Sequence, residues 1–361
     1  MSGPAGNPVL LLRYSHLKHA EIFQSVEVFY RSFYFRVPED RGDRRRNGAE
    51  PRGDEAAIAG GSRVLPFPQG TPRGRALKRL IITADDFGLA NAVNEAVEQG
   101  HSDGVLSAAS LMVGGAAAPD AVRRARRMPQ LRVGLHLTLV DDWPILPAEA
   151  IPDLVVKAGP STGRLRNDLA SLGLAIATRA SVRSQVRSEI RAQFEAYRAT
   201  GLALDHVNAH RHYHLHPTIL SEILAIGADY GARALRTPIE PLSDLRRVAP
   251  TPRPPVAILM APWAAAMRRR VHNAGWVSVD RVFGLAWSGR MTEQRIAGLL
   301  SNLPPGCTEI YTHPATSANF DGAAKGYAYA EELAALMSSR CREAVRETAA
   351  TVGGYADMVG P

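Results

Sequence analysis

The pattern of apolar and polar positions predicts alternating strands and helices from about Leu77 onward. RLIITADDF (79–87) is an apolar, β-branched run that ends in acids, which is typical of a buried strand. Helix and strand are then predicted to alternate over 91–104, 105–115, 117–129 and 132–140. This order is typical of parallel β/α units, so the fold class is predicted to be α/β.

The second half of the chain continues the alternation after a less regular stretch. Residues 144–180 are expected to form a loop-rich excursion, and 181–200 an amphipathic helix with one apolar stripe. That stripe is formed by Val182, Val186, Ile190 and Phe194. The later elements are a strand at 205–210, a helix at 217–231, strands at 234–238 and 309–315, and one long helix at 329–350.

Residues 1–76 differ in composition from the remainder and are expected to be a basic, low-complexity, largely disordered extension. The stretch 38–76 is rich in Arg, Gly, Pro and Glu and shows little apolar periodicity. Residues 1–79 carry 14 Lys and Arg against 8 Asp and Glu, so most of the net charge of +8 lies there. The remaining chain is nearly neutral, and nucleic acid is not expected as a partner. The catalytic unit is predicted to span 77–361.

The sequence shows no membrane helix, secretion signal or cysteine motif, and this limits the class of protein and its expected location. No apolar run reaches the ~18 residues that a membrane helix needs, and the first residues lack the order of a secretion signal. A cytoplasmic location is therefore expected. The two cysteines, Cys307 and Cys341, form no C-x-x-C pair, so neither a disulfide framework nor a thiolate zinc site is indicated.

Ionisable side chains stand at or near the ends of the predicted strands. They are Asp85, Asp86, His136, His210, Arg236 and His313. Because the carboxyl ends of strands in β/α barrels and open α/β sheets converge on the active site, these side chains are candidates for one catalytic centre.

The pair Asp85–Asp86 can serve two tasks, because successive side chains on a strand point to opposite faces. One carboxylate can hold a metal ion while the other handles protons. The alternative is that one of them caps the following helix.

The segment HVNAHRHYHLHP contains five histidines, a density that is typical of metal binding. We favour His210, at the strand end, as the ligand, and keep His212 as a reserve ligand or supporting residue. His214 and His216 are expected to line the loop or cap the helix that begins at Pro217. His206 is interpreted as a packed strand residue.

One carboxylate and two imidazoles would leave coordination positions open, the pattern of a catalytic rather than a structural metal site. A metal there would polarise a carbonyl, and a neighbouring carboxylate could remove a proton from water. His313 is a candidate general acid, with a simple turn residue as the alternative. Arg236 is a candidate to orient a carboxylate or contact substrate, with a surface salt bridge as the alternative.

Four motifs resemble those of the YdjC-like, or ChbG/HpnK, carbohydrate deacetylases over about residues 78–355. The motifs are TADDFG (83–88), GLHL (134–137), HVNAHRHYHLHP (206–217) and THPA (312–315). The segment VGLHLTLVDDWPILP is most similar to the hopanoid-biosynthesis branch, HpnK.

This resemblance implies a distorted (β/α) barrel of the polysaccharide-deacetylase type and a divalent metal, usually magnesium. By motif position it implies Asp86, His136 and His210 as metal ligands, Asp85 as catalytic base and His313 as a further site residue. The implied reaction is N-deacetylation of an N-acetylglucosaminyl hopanoid, or, in the other branch, of chitooligosaccharides.

Several expectations stay open at this point. Two imidazoles beside one carboxylate suit zinc or another transition metal better than magnesium. A metal-dependent phosphoesterase and a non-catalytic sugar or lipid-headgroup binder are the competing functions. An amino-sugar or glycolipid substrate is expected, and a lipid substrate would bring peripheral contact with the inner face of the membrane. A homo-oligomer is compatible with the sequence.

Overall fold

A computed structural model of the chain describes residues 77–251 and 255–358. The prediction of a disordered extension over residues 1–76 therefore lies outside the described residues. None of the helices in the described ranges is long and apolar enough to span a bilayer.

Within these ranges the strands form one parallel sheet, whose hydrogen-bonded order is β4-β3-β2-β1-β6-β5, with β7 also paired to β1. The strands are β1 (Lys78–Phe87), β2 (Ala108–Leu111), β3 (Arg132–Leu137), β4 (Val207–Ala209), β5 (Arg281–Phe283), β6 (Gly306–Thr312) and β7 (Thr351–Val352).

Helices follow the strands and cover the sheet. They are α1 (Asn91–Ser102), α2 (Ala118–Arg127), α3 (Leu169–Thr178), α4 (Ala180–Ala199), α5 (Pro217–Asp229), α6 (Leu242–Val248), α7 (Pro255–Asn273), α8 (Glu293–Ser301), α9 (Tyr329–Met337) and α10 (Ser339–Thr348). Short 3-10 turns occupy His210–Leu215 and Ala356–Met358.

The segment 234–239 links the two edge strands of the sheet. The Val207 N–H of β4 donates to the Ala234 carbonyl at 3.0 Å, and the Val282 N–H of β5 donates to the Ile239 carbonyl at 2.8 Å. The sheet therefore curves into a half-barrel, whose two edge strands are linked through this segment by isolated backbone hydrogen bonds instead of full ladders. The predicted α/β fold class with a parallel, barrel-like sheet is confirmed.

The core lies between the sheet and its helices, as the apolar pattern predicts. The central strand β1 is buried from Leu80 to Phe87, because it has neighbours on both edges and helices over its face. The stripe on α4 is fully packed, since Val182, Ile190 and Phe194 are at most 1% exposed. Burying each such side chain stabilises the fold by roughly 1.5–3 kcal/mol.

One prediction of local structure was incomplete, and two were wrong. The excursion 144–180 contains helix α3, whose Leu172 and Ile176 are fully buried. The long C-terminal helix is broken at Ser338, whose extended backbone and side chain cap α10 by accepting from the Cys341 N–H. The segment 234–238 forms only isolated bridges, because it spans a gap between strands instead of pairing along its length.

Candidate metal centre and active site

Asp86, His136 and His210 each direct one ligand atom to a common point at the carboxyl end of the sheet. Asp86 Oδ1 lies 3.2 Å from His136 Nε2 and 3.1 Å from His210 Nδ1, and the two imidazole nitrogens are 3.4 Å apart. Ligand atoms around a tetrahedral ion at about 2.1 Å lie about 3.4 Å from one another. The three residues therefore fit a single metal ion.

Asp86 adopts a left-handed backbone with a φ of +64°. The pairing between β1 and β2 is irregular between Ala84 and Phe87, and Gly88 follows with a φ of +97°. This irregularity breaks the strand alternation, so Asp85 and Asp86 do not diverge to opposite faces as predicted. Both carboxylates lie beside His136, and the left-handed conformation is one that Asp adopts more readily than most residues.

His136 is held in one tautomer by a buried amide. Its Nδ1 lies 2.8 Å from Asn208 Oδ1, while the Asn208 amide nitrogen donates to Asp85 Oδ1 and to Ser110 Oγ at 3.1 Å each. The Asn208 oxygen is therefore the acceptor for the Nδ1 proton of His136. The Nε2 lone pair is left free for a metal ion, as in many metal sites where a ligating imidazole donates its other N–H.

Asp85 is a buried carboxylate with a dense set of hydrogen-bond donors. Arg236 Nη1 donates to its Oδ2 at 2.6 Å, and Arg236 Nη2 and Ser110 Oγ donate to its Oδ1 at 2.9 and 2.8 Å. Burial alone would raise the pKa of Asp85, but the Arg236 guanidinium and the nearby His136 hold it well below its usual range. Asp85 is therefore ionised at neutral pH.

Arg236 is itself completely buried, so a surface salt bridge does not describe it, and its guanidinium contacts the Asp85 carboxylate. Its Nε and Nη2 donate to Glu309 at 3.0 and 2.7 Å. Glu309 also accepts from Thr83 Oγ1 and from the Tyr355 hydroxyl, at 2.7 and 2.6 Å. A buried cation is thus shared by two carboxylates, which satisfies its donors without water.

We expect Tyr355→Phe to lower kcat about three- to tenfold, because Glu309 loses one donor and holds Arg236 less firmly against Asp85. KM is expected to stay unchanged. The matched control is Tyr197→Phe, another buried tyrosine, whose hydroxyl donates to the Val133 carbonyl at 2.8 Å.

Both variants should lose stability in urea unfolding, by roughly 1–3 kcal/mol for the unsatisfied partner. Only the variant at position 355 should lose turnover. Equal turnover in the two variants would show that this network has a purely structural role.

The remaining histidines of the cluster take supporting positions. His212 has a φ of +52°, and its Nε2 lies 3.0 Å from the Tyr311 hydroxyl instead of joining the ligand atoms. His214 Nε2 lies 2.9 Å from the Arg236 carbonyl. His206 is buried, pairs with Asp205 and stacks on Tyr355, which confirms it as a packed residue.

His216 caps helix α5 by accepting from the Thr218 N–H at 3.2 Å, as the sequence predicts. Burial lowers its pKa from 6.5 to about 4. Between about pH 6.5 and pH 4 this imidazole is protonated in the unfolded chain but stays neutral in the folded chain. The free energy of unfolding therefore falls as the pH decreases from 6.5 toward 4.

We expect His216→Asn, which keeps a capping oxygen, to reduce this loss by about 1 kcal/mol per pH unit. Urea unfolding at pH 7 and pH 5 measures it, with His101→Asn on helix α1 as the control. If the wild type and His216→Asn depend on pH identically, the burial of a neutral His216 is not the cause.

His313 follows β6 at the same end of the sheet. Its backbone N–H donates to the buried Glu332 of helix α9, and its ring contacts Tyr311 and Tyr327 edge-on, with centroids 5.5 and 5.0 Å away. Ala84 of β1 pairs with Thr312 of β6, so His313 comes level with Asp85 just beyond the paired residues. The ring is half-buried, but it is not among the ligand atoms that meet at Asp86.

Sequence reasoning missed Ser110, Asn208 and Glu309, which orient His136, Asp85 and Arg236. Each is a fully buried polar residue in a strand. In β2 and β4 it is the lone polar residue of an apolar strand, which was the only signal available, whereas β6 also contains threonines and gives Glu309 no such signal.

A family model described as YdjC-like protein matches residues 79–347. A carbohydrate deacetylase of Brevibacillus brevis is 34% identical over 152 residues, which are 42% of this chain and 56% of that protein. The chain thus aligns with little more than half the length of this relative. A carbohydrate deacetylase of Geobacillus stearothermophilus is 27% identical over 272 residues, covering 74% of this chain and 87% of that protein.

Among solved structures, the chain is similar to a protein of Enterococcus faecalis V583 proposed to cleave cellobiose phosphate. The TM-score is 0.62 at 24% identity, and the match covers 79% of this chain and all of that one. At this identity the likeness supports the fold alone.

Proposed function

The chain belongs to the YdjC-like protein family, and from that premise we propose that it is a metal-dependent hydrolase that removes the acetyl group from an N-acetylated amino sugar. One observation carries the proposal. Asp86, His136 and His210 bring one ligand atom each to a common point, and a second, ionised carboxylate, Asp85, lies beside them. The similarity to carbohydrate deacetylases supports an acetylated sugar as substrate.

Asp86, His136 and His210 would hold the metal ion. Their donor set, one oxygen and two nitrogens, suits zinc or another transition ion, whereas family resemblance implies magnesium. A divalent ion in this place would polarise the acetyl carbonyl and make water a better nucleophile at neutral pH. Because Asn208 fixes the His136 tautomer, the ligand set is preorganised.

Asp85 is the proposed general base. Its carboxylate is ionised, and Arg236 and Glu309 hold it in place without solvent, so it can take a proton from the attacking water. The same donors lower its basicity, and the base therefore depends on correct placement next to an activated water more than on a high pKa.

His313 is the proposed general acid for the departing nitrogen. The nitrogen of an amide leaves as an amine only when it gains a proton. The reaction therefore needs a proton donor on the leaving-group side of the site. His313 is half-buried and follows β6 at the level of Asp85 on the neighbouring strand β1, which supports this assignment. Arg236 and His212 are proposed as supporting residues. Arg236 donates a hydrogen bond to Asp85, and His212 lies within hydrogen-bond distance of the Tyr311 hydroxyl.

Two substrates bear the required N-acetylglucosamine unit, an N-acetylglucosaminyl hopanoid in hopanoid biosynthesis and a chitooligosaccharide. Sequence resemblance favours the hopanoid as the substrate. Because a hopanoid is a lipid, the protein would then contact a membrane surface.

The test is to assay acetate release from a glycosylated hopanoid and from diacetylchitobiose side by side, with magnesium and with zinc. Phosphate release from model phosphoesters is measured in parallel. Acetate release from either sugar substrate supports the proposal. Phosphate release without acetate release would replace it with the phosphoesterase alternative.

A further inference from the structure

Trp143 is an exposed aromatic ring beside the candidate active site. It follows strand β3 by six residues and is 43% exposed, while the preceding residues 138–140 are buried. Gly114, just after β2, allows this close approach, because a Cβ there would lie 2.9 Å from the Trp143 carbonyl oxygen. The ring is thus placed among loops at the carboxyl end of the sheet, where the ligand atoms meet.

The residues just before Trp143 connect its loop to the segment that carries the metal ligand His210. Asp141 forms an ion pair with Arg211, the residue after His210. Asp142, the residue between Asp141 and Trp143, is buried. The loop that carries Trp143 is therefore joined by an ion pair to the residue next to the ligand His210.

Arg164 holds the indole in place and connects it to the opposite side of the site. Its guanidinium carbon lies 5.2 Å from the Trp143 ring centroid. The same guanidinium pairs with Asp321, in the loop between β6 and α9 that begins with His313. Trp143 thus lies between the loop of a metal ligand and the loop of the proposed acid.

We propose that Trp143 forms a second sugar subsite, stacking on the pyranose ring that is linked to the acetylated sugar held at Asp86, His136 and His210. This inference rests on the deacetylase function proposed above and, of its two substrates, selects the chitooligosaccharide over the hopanoid, which carries no second linked sugar.

The chemistry of the surroundings favours a pyranose over a lipid. A pyranose presents an apolar face of C–H groups for a flat aromatic ring and a rim of hydroxyls for charged groups. Trp143 offers the ring, which is 43% exposed although the Arg164 guanidinium lies over it, and Arg164 and Asp321 offer the charges. A polycyclic lipid would need a wider apolar surface, whereas the other exposed large apolar side chains of the described residues, Leu77, Leu174 and Val352, lie on separate elements.

The test measures binding of diacetylchitobiose and of N-acetylglucosamine by titration calorimetry. It uses the full chain with metal, in an Asp85→Asn background in which turnover is expected to be slow. Trp143→Ala is expected to raise Kd for the disaccharide about three- to tenfold and leave Kd for the monosaccharide unchanged. Trp143→Phe, which keeps a flat ring, should restore most of the loss.

The matched control is Val352→Ala, which removes an exposed apolar side chain at the opposite end of the sheet, where β7 pairs with the start of β1. It should change neither Kd. An unchanged Kd in Trp143→Ala would overturn the subsite, and so would an equal loss for both sugars. The same titration is repeated with a glycosylated hopanoid, and a loss confined to that ligand would overturn the subsite in favour of lipid contact.

Failure of the subsite and failure of the function are distinguishable. If the disaccharide binds through Trp143 but the wild type releases no acetate with any metal, the deacetylase proposal fails and the sugar subsite stands. If acetate is released with the same KM by the wild type and Trp143→Ala, the subsite fails and the deacetylase proposal stands.

Discussion

Replacing Asp85 with Asn is expected to lower kcat for deacetylation by about 10²- to 10⁴-fold, the usual contribution of a general base. Asn has the same shape but does not accept the proton of the attacking water. KM and the metal content should stay near wild-type values, because the three ligand atoms belong to other residues. Acetate release under saturating substrate, with metal content determined on the same sample, measures the effect.

The Asp85→Asn variant is expected to fold. The buried cluster contains one cation, Arg236, and two carboxylates, Asp85 and Glu309. Removing one negative charge leaves an Arg236–Glu309 pair that is still neutral and hydrogen-bonded, so no buried charge is left unpaired. Glu222→Gln is the matched control, a mostly buried carboxylate that pairs with Arg187 on helix α4. Wild-type turnover in Asp85→Asn with metal bound would remove Asp85 from the mechanism.

Replacing Asp86 with Ala is expected to abolish metal retention and with it turnover. Asp86 Oδ1 is the atom that both imidazoles face, at 3.1 and 3.2 Å, and it supplies the only negative charge among the three ligands. The two remaining imidazoles are neutral, so the variant loses the anionic ligand and keeps only two of its three donor atoms. Metal content after gel filtration, and acetate release with added metal, measure the two effects.

Asn208→Ala provides a graded comparison for the same centre. Asn208 orients His136 without being a ligand, so its loss should weaken metal affinity about 10- to 100-fold instead of abolishing it. Excess metal should then restore activity to Asn208→Ala but not to Asp86→Ala. If Asp86→Ala retains a full equivalent of metal, the ion is held elsewhere.

The parallel sheet and the convergence of the ionisable groups were predictable because their signals are local, whereas the choice of Asp86 over Asp85 as a ligand came from family resemblance. Apolar, β-branched runs mark β1 and β6, and the ionisable groups at the strand ends meet because parallel strands end at one edge of the sheet. His210 was chosen among five histidines by its place at a strand end, and it is the one whose Nδ1 faces Asp86.

What sequence reasoning could not supply depends on tertiary contacts. The left-handed Asp86 has no signature beyond an Asp near a glycine, so the shared orientation of Asp85 and Asp86 was missed. The predicted C-terminal helix is divided at Ser338, which caps the second of two shorter helices. The residues on both sides have helical periodicity, so the sequence pattern does not show this division. The network through Glu309 and Tyr355 joins residues 46 positions apart, and no local pattern encodes such a contact.

The most direct test of the metal-dependent deacetylase is the stoichiometry of products from diacetylchitobiose with and without metal. The full chain is stripped with a chelator, and acetate and free amine are measured before and after magnesium or zinc is restored. We expect equal amounts of acetate and amine with metal, almost none without it, and recovery on addition. Undiminished release by the metal-free protein, or no release with any metal on either the disaccharide or the glycosylated hopanoid, would contradict the account.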